Sequence, residues 1–448
     1  MFFLYMALFA TLSPWTLEAD PCPICLAHFH DRHEAPVVVK TQCCGHRFDL
    51  DCLSMCFVDQ PIGSRQCAMC RQNPMPVVNQ NTSEAYPDTF FPDQTFYNAC
   101  LNGDLNQVER SLAEGVNVNA VMVGGFTALM LASQNGNKTV VQRLIEAGAD
   151  VDAALSNGAS PLLIAAHHNN DDCVKILIEA EADLNAAMSS GATSLFIAAQ
   201  ENNIVCVKLL VNAGADLNAA LSDGTTPLVI AAQENNIDCL TALIEAGADL
   251  NAQTDDGSTP LLIAAWKGNT DCVKALIEAK ANLNAAMLDG ATPLLTAAQE
   301  NNTDCVEILI NAGADLNAAM SDGCTPLFIA VQKGNIDCVK LLLDAGADIS
   351  VRTEDGATSL FIAALKGNTD CLKILINAGA DLNAQAEDGS TPLFIAALVG
   401  NPDCVKLLIN AGADLNTARI TDRATPLSVA AARGNSDCVK LLINAGAE

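Results

Sequence analysis

Residues 322–350 have the sequence DGCTPLFIAVQKGNIDCVKLLLDAGADIS, and they decide the fold because their frame recurs every 33 residues. The position of Thr325 is a threonine or serine in every copy. The equivalents are Thr127, Ser160, Thr193, Thr226, Thr259, Thr292, Thr358 and Thr391, with one extra residue before Thr425. Self-similarity at such a period indicates a repeat architecture, in which each unit stacks on its neighbours.

One copy encodes two helices and a tight turn. Thr325 is a hydroxyl N-cap and Pro326 takes the first helical position, where its missing N–H costs nothing, so a helix is predicted over residues 326–333. Gly334 ends that helix, and Asn335 is expected to cap the second. Neither helix can bury its apolar face alone, so neighbouring copies must stack.

The segments TPL, AA, GN, VKLL and AGADLN resemble the ankyrin repeat. Ten near-complete copies cover residues 126–448, and a degenerate copy, NACLNGDLNQVERSLAEGVNVN, precedes them. The resemblance implies a mostly α-helical ankyrin-repeat solenoid over residues 95–448, with helix-turn-helix units joined by β-turns. In one consistent departure, the histidine usual after TPL is apolar. It is replaced by Leu163, Phe196, Val229 and Phe328.

Composition fits an elongated array better than one compact core. Half of the 448 residues are apolar but only 4% are aromatic, so alanine and aliphatic side chains must do most of the packing. The net charge is −29. Such an acidic surface disfavours nucleic acid and anionic membranes as partners.

The N-terminal residues 1–20 begin MFFLYMALFATLSPW, which is apolar but has no basic n-region and meets Pro14 before a helix could span a bilayer. Three interpretations stay open: a secretory signal, a weak anchor or partner-binding segment, and a plain apolar extension. Residues 77–94 mix polar residues with two prolines and show no sustained period, so they are predicted to be a linker.

Residues 21–76 contain eight of the nineteen cysteines and four of the six histidines. Two C-x2-C pairs flank a C-x-H motif, a spacing typical of metal ligands. A segment with so few aliphatic residues cannot fold on a hydrophobic core, so bound zinc would supply the missing stability. We expect two Zn²⁺ ions per chain in tetrahedral sites.

The order of these ligands resembles the RING finger, whose ligands interleave. The resemblance implies one site from Cys22, Cys25, Asp49 and Cys52, and a second from Cys44, His46, Cys67 and Cys70. Asp49 stands where the family variant has a histidine, and a carboxylate oxygen can also bind zinc. Two alternatives are that Cys56 closes the first site, or that Cys43 replaces Cys44.

A RING finger implies ubiquitin ligation by positioning, without a covalent intermediate, so the implied partners are a ubiquitin-conjugating enzyme and ubiquitin. The matching contacts to the conjugating enzyme are Ile24, Phe57 and Ala68, and Arg71 matches the cationic linchpin. The usual proline is Ala68 and the usual tryptophan is Cys56, beside Phe57. The alternative is a non-catalytic scaffold whose zinc module is structural.

Nine cysteines occupy one equivalent position of the second helix. They are Cys173, Cys206, Cys239, Cys272, Cys305, Cys338, Cys371, Cys404 and Cys438. Stacked helices lie about 8–10 Å apart, too far for disulfides, so these residues are predicted to be small buried apolar groups. Unpaired thiols favour a reducing compartment, so we expect a cytoplasmic protein, in its own cell or in a host if it comes from an intracellular microbe.

The copies differ at the end of the first helix, where ankyrin proteins line their concave binding face. Polar residues dominate the early copies, whereas later copies carry apolar anchors beside lysines. We expect a protein substrate to bind at Trp266, Lys267, Lys333, Leu365, Lys366, Leu398 and Val399. The alternative is that these are ordinary scattered surface residues.

Two copies lack the glycine that closes the second helix. Glu181 and Lys280 take its place, where a left-handed backbone is expected. A side chain in that conformation costs about 1 kcal/mol, so these two joints are predicted to be slightly weakened.

Overall fold

The computed structural model describes residues 38–41, 47–50, 53, 57, 75–79, 85–86, 92–122 and 124–448. The chain divides into two compact units, Met1–Ser189 and Ser190–Glu448. The described residues contain one small sheet, in the first unit, and pairs of helices in both units.

The sheet has four short antiparallel strands. They are β1 (Val38–Thr41), β2 (Arg47–Asp49), β3 (Val77–Asn79) and β4 (Ala85–Tyr86), in the order β2-β1-β3-β4. In the register of the sheet, Val38 pairs with Asp49 and Thr41 pairs with Val77. The side chains of Val39 and Val77 are fully buried, as expected for alternating residues on the covered face of a sheet.

The helices of both units come in pairs joined by tight turns. The first unit has α1 (Gln94–Asn102), α2 (Leu105–Ala113), α3 (Ala128–Gln134), α4 (Lys138–Glu146), α5 (Pro161–His167) and α6 (Asp171–Glu179). The second unit has α7 (Ser194–Gln200), α8 (Ile204–Ala213), α9 (Pro227–Gln233), α10 (Ile237–Glu245), α11 (Pro260–Lys267), α12 (Thr270–Glu278), α13 (Pro293–Gln299), α14 (Thr303–Asn311), α15 (Pro326–Lys333), α16 (Ile336–Asp344), α17 (Ser359–Lys366), α18 (Thr369–Asn377), α19 (Pro392–Val399), α20 (Pro402–Ala411), α21 (Pro426–Arg433) and α22 (Ser436–Asn444).

The predicted start and end of the first helix are confirmed in α15. The Phe328 N–H donates to Oγ1 of Thr325 over 3.3 Å, and Pro326 occupies the first turn. Gly334 has φ 79°, the left-handed conformation that closes a helix. The apolar residues that replace the family histidine, such as Phe328, are buried and add to the core.

The prediction for Asn335 is wrong in its hydrogen bond. Asn335 lies at the N-cap of α16, but its side chain makes no capping bond there. Its Nδ2 donates instead to the carbonyl oxygens of Ala298 (2.8 Å) and Gln299 (3.0 Å), at the end of α13 in the preceding copy. Equivalent bonds are made by Asn137, Asn170, Asn236, Asn269, Asn302, Asn368 and Asn435. This asparagine therefore links successive helix pairs.

One copy departs from this pattern because a proline follows the asparagine. Pro402 disfavours the usual backbone conformation of the residue before it, and Asn401 has φ −101° and ψ 95°. Its Oδ1 accepts from the Cys404 N–H at 3.1 Å. Asn401 thus caps its own helix, the role expected from the sequence for Asn335.

Each second helix is followed by a turn that we call a finger, and the finger leads into the next first helix. In the finger at residues 353–357, the N–H of Thr353 donates to the Ala357 carbonyl over 3.0 Å. Adjacent fingers are joined by one backbone bond, from the Glu354 N–H to the Asp322 carbonyl over 2.9 Å. The same bond recurs from Asp255 to Asp223, Leu288 to Asp256, Ser321 to Asp289, Glu387 to Asp355 and Ile420 to Asp388.

The nine equivalent cysteines of the second helices, here called the cysteine column, pack in the core, as predicted. None of these nine thiols is part of a disulfide, and at most 1% of each cysteine is exposed. Some of them also donate to an asparagine of the preceding copy, as Cys338 Sγ does to Asn301 Oδ1 at 3.6 Å. Burial raises the pKa of Cys338 to about 11, so the thiol stays protonated and unreactive near neutral pH.

The left-handed backbone predicted at Glu181 and Lys280 is confirmed, with φ of 62° and 70°. At the equivalent Gly313, a Cβ atom would meet nothing within 4 Å. A Cβ atom therefore fits at this position without a clash, and the strain expected there comes from the left-handed backbone.

Candidate functional site

The first helices and the fingers of the second unit enclose two open grooves. One, here the phenylalanine groove, has a volume of about 360 Å³. It is lined by Asp322, Cys324, Phe328, Gln332, Thr353, Glu354, Asp355, Ala357, Phe361, Ile362 and Leu365. The other, the aliphatic groove, has about 310 Å³ and lies three copies earlier. Its lining is Asp223, Thr225, Val229, Gln233, Thr254, Asp255, Asp256, Ser258 and Ile263.

Both grooves have an apolar floor and an acidic wall. In the phenylalanine groove the floor is formed by Phe328 and Phe361, and the wall carries Asp322, Glu354 and Asp355. Its lining contains three carboxylates and no lysine or arginine. A groove of this composition attracts a ligand with both apolar and cationic groups.

The wall aspartates are fixed by the turn itself. Asp322 Oδ1 accepts the N–H of Cys324 at 2.9 Å, and Asp223 Oδ1 accepts the N–H of Thr225 at 3.0 Å. Hydrogen bonds from Thr225 lower the pKa of Asp223, so this carboxylate stays ionised well below neutral pH. A carboxylate has about four acceptor positions, so its second oxygen keeps room for a ligand donor.

Cys324 lines the groove but is unsuited to nucleophilic chemistry. It is almost fully buried, and burial, together with the nearby Asp322, raises the pKa of its thiol to about 12. A nucleophilic cysteine needs the opposite shift, toward the thiolate.

The residues predicted to bind a substrate are only partly brought together. Leu365 lines the phenylalanine groove, and Leu398 and Val399 lie on the neighbouring helix α19. Trp266 is 41% exposed on α11, with the Nζ of Lys267 at 4.3 Å from its ring centroid. Helices α13 and α15 intervene between α11 and α17, so roughly 25–30 Å separates Trp266 from Leu365.

Lys333 and Lys366 are exposed at the ends of α15 and α17, directly after Gln332 and Leu365 of the groove lining. The two lysines therefore lie just beyond the groove, on its side away from the fingers. Their roles in binding, and those of Trp266, Leu398 and Val399, stay predictions.

Arg419, on the finger that follows α20, was not among the residues predicted to act. Its guanidinium carbon lies 4.9 Å from the centroid of the Phe394 ring. The Nε of Arg419 donates to Asp422 Oδ1 at 3.1 Å, and its NH1 atom is 3.9 Å from Asp388 Oδ2. The extra residue before Thr425 was the only sequence signal that this finger is unusual.

Most of the predicted zinc site lies outside the described residues. This holds for Cys22, Cys25, Cys44, His46, Cys52, Cys67 and Cys70, and for Ile24, Ala68 and Arg71. Asp49 is the last residue of β2, and Phe57 is described as fully buried. Within the described ranges, no group of three or more histidine, cysteine or acidic side chains could hold a metal ion.

Among the residues that the structure places, no helix is both long and apolar enough to cross a membrane. The helices are 7 to 10 residues long, whereas a membrane span needs about 20.

The repeated helix pairs and fingers define a helical repeat protein that offers a groove. A family model described as ankyrin repeats (3 copies) matches residues 78–154, 96–188, 151–221, 195–287, 261–353 and 360–448, and one described as ankyrin repeats (many copies) matches residues 331–376. The chain belongs to the ankyrin-repeat family. No curated protein sequence matches it.

Proposed function

We propose that the chain is a protein-interaction scaffold that binds its partner in the finger grooves of the second unit. The observation that carries this proposal is the pair of open grooves, each with an apolar floor and a wall of fixed carboxylates. Hydrogen-bonded turns hold both walls in place, so binding costs little ordering of the groove. Ankyrin repeats generally mediate contacts between proteins, which supports the same function.

Site-specific photocrosslinking tests this proposal. A photoreactive residue is placed at Gln332, in the groove, or at Lys340, on the exposed face of α16 as a matched control. A partner that binds in the groove is crosslinked from position 332 and not from position 340. Equal crosslinking from both positions would contradict the proposal, because contact would then not depend on the groove.

We also propose a second, more specific function: RING-type ubiquitin ligation, with the grooves holding the substrate. It is favoured by the spacing of cysteines and histidine in residues 21–76 and by the small sheet, in which β1 pairs with β2, inside this segment, and with β3, directly after it. Six thiolates, one imidazole and one carboxylate suit zinc. Zinc would stabilise the fold of this segment.

In this second proposal the chain positions its partners and does no covalent chemistry. Cys22, Cys25, Asp49 and Cys52 would hold one ion. Cys44, His46, Cys67 and Cys70 would hold the other. Arg71 would bridge the conjugating enzyme and ubiquitin, because a guanidinium can bond two partners at once. Ile24 and Ala68 would contact the conjugating enzyme, while the burial of Phe57 suits support of that surface from beneath.

Reconstituted ubiquitin transfer with a panel of conjugating enzymes separates the two functions. Chains formed by the wild type and lost in Cys67→Ala support ligation. Loss in Arg71→Ala as well supports the linchpin role, because this change leaves all predicted ligands in place. Absence of transfer with every enzyme of the panel would leave the scaffold function alone. Zinc analysis is an independent check, with about two ions per chain expected.

A further inference from the structure

Three successive copies share an unusual pair of residues. Phe328, Phe361 and Phe394 occupy one equivalent position in α15, α17 and α19, where the family usually has a histidine. Six residues before each phenylalanine stands a fingertip aspartate. These are Asp322, Asp355 and Asp388. The three copies thus place an aromatic ring and a carboxylate side by side.

In the last of these copies, the protein fills the space over the ring with its own arginine. Arg419 lies with its guanidinium carbon 4.9 Å from the centroid of the buried Phe394 ring, and its NH1 atom is 3.9 Å from Asp388 Oδ2. Asp422 adds a second carboxylate, through bonds to Nε and NH2. An aromatic face and flanking carboxylates are the surroundings that a guanidinium prefers.

Backbone bonds between fingers show which residues are equivalent to Arg419. The Ile420 N–H donates to the Asp388 carbonyl, as the Glu354 N–H does to the Asp322 carbonyl. The residue before each donor is Arg419 in one finger and Thr353 in the other. Arg419 fills the space over Phe394. Thr353 is short, so the equivalent space over Phe328 stays open and is part of the phenylalanine groove.

We propose that the phenylalanine groove binds an arginine side chain from an extended segment of a protein partner, in the pose that Arg419 shows within the chain. This inference rests on the proposed scaffold function and names the chemistry of its partner. The guanidinium stacks on Phe328 or Phe361 and bonds Asp322 and Asp355. Arginine fits better than lysine, because its planar group can stack and bond a carboxylate with two N–H donors together.

The aliphatic groove supplies an internal comparison. It carries the equivalent carboxylates, Asp223 and Asp256, but Val229 and Ile263 form its floor. It has the charge without the aromatic face. The preference for arginine therefore belongs to the phenylalanine groove.

The test uses the full chain and two fluorescent peptides, identical except that a central arginine in one is citrulline in the other. Citrulline has the shape of arginine but no charge. We expect the arginine peptide to bind about tenfold more tightly, because its charged guanidinium makes stronger hydrogen bonds to the carboxylates than neutral citrulline does. Equal binding of the two peptides would overturn the inference.

Two matched variants locate the site. Thr353→Arg places an arginine where Arg419 stands in its own copy, so it should fill the groove and abolish binding of the arginine peptide. Thr254→Arg makes the same change in the aliphatic groove, and Thr254 bonds its own finger as Thr353 does. It should weaken binding of the arginine peptide much less than Thr353→Arg does, because the aliphatic groove has no aromatic face. Equal loss in both variants would overturn the inference, because added charge alone would then explain the effect.

A third variant changes the charge of the groove and preserves the hydrogen bond of the turn. Asp322→Asn keeps an oxygen that can accept the Cys324 N–H but removes the charge. We expect this variant to have the melting temperature of the wild type and to bind the arginine peptide several-fold more weakly. Unchanged affinity for the peptide would contradict the inference. Groove-specific crosslinking at Gln332 with equal binding of both peptides would overturn the arginine preference alone. Loss of that crosslinking specificity would overturn the scaffold function.

Discussion

Replacing the linking asparagine should weaken one joint of the second unit. In Asn335→Ala, the carbonyls of Ala298 and Gln299 lose donors at 2.8 and 3.0 Å. Each such bond contributes about 0.5–1.5 kcal/mol, so we expect the free energy of unfolding to fall by about 2 kcal/mol. Asn335→Asp should cost more, because a carboxylate would face two carbonyl oxygens.

The control is the copy in which the asparagine has another role. Asn401 caps its own helix through the Cys404 N–H, so Asn401→Ala should cost only about 1 kcal/mol. Urea unfolding, followed by circular dichroism, measures all three variants. With Trp15, the other tryptophan, replaced by phenylalanine, the fluorescence reports on Trp266 in α11, which is N-terminal to the weakened joint. Because each copy contacts only its neighbours, a weakened joint should let the two sides unfold separately. The unfolding transitions measured by circular dichroism and by fluorescence should therefore no longer coincide in Asn335→Ala.

Two outcomes would refute this reasoning. One is an equal loss of stability in Asn335→Ala and Asn401→Ala, which would mean that the bonds between copies contribute nothing beyond an N-cap. The other is an Asn335→Asp variant more stable than Asn335→Ala. Aspartate is a good N-cap, so that result would assign the side chain to its own helix.

Three further predictions concern local features. Lys280→Gly should stabilise the chain by up to about 1 kcal/mol, because glycine adopts the left-handed backbone without strain. Amide exchange at this turn should then slow toward the rate at Gly313. Unchanged exchange would show that the left-handed backbone is not strained there. Asp422 bonds Arg419, which lowers the pKa of its carboxyl from 3.8 to about 2. Its contribution to stability should be complete above about pH 4 and vanish as the pH falls through 2, so the melting temperatures of wild type and Asp422→Asn should converge at low pH, and a constant difference would exclude the ion pair as its source. Cys338 should resist alkylation in the native chain and react after unfolding, as peptide mass spectrometry can show, and rapid native labelling would contradict its burial.

The helices could be predicted because their signals are local. The Thr-Pro start of α15 and Gly334 at its end lie within one copy of the repeat, and both act through the residues next to them. The burial of the cysteines could also be predicted, because a small residue recurs at one position of the second helix and stacked helices lie too far apart for disulfides.

The contacts between copies could not be predicted from one copy. Asn335 has the sequence context of an N-cap, but its donors find carbonyl oxygens 36 and 37 residues earlier in the chain. Both arrangements satisfy the same side chain. Only the distance between stacked copies, which the local pattern does not contain, decides between them.

The groove escaped prediction for a similar reason. Asp322 and Asp355 look like ordinary residues of tight turns, and Phe328 looks like a core residue. Stacking sets these three side chains around one cavity. Trp266 was predicted from its position at the end of a first helix, which says nothing of its distance from Leu365.

The central claim is that a partner binds in the phenylalanine groove, and the most direct measurement is the affinity of the partner found by crosslinking at Gln332. Calorimetric titration compares the wild-type chain with Thr353→Arg and Thr254→Arg. The account predicts that Thr353→Arg weakens binding by about tenfold or more and that Thr254→Arg weakens it much less. Equal affinity of the partner for all three chains would contradict the claim.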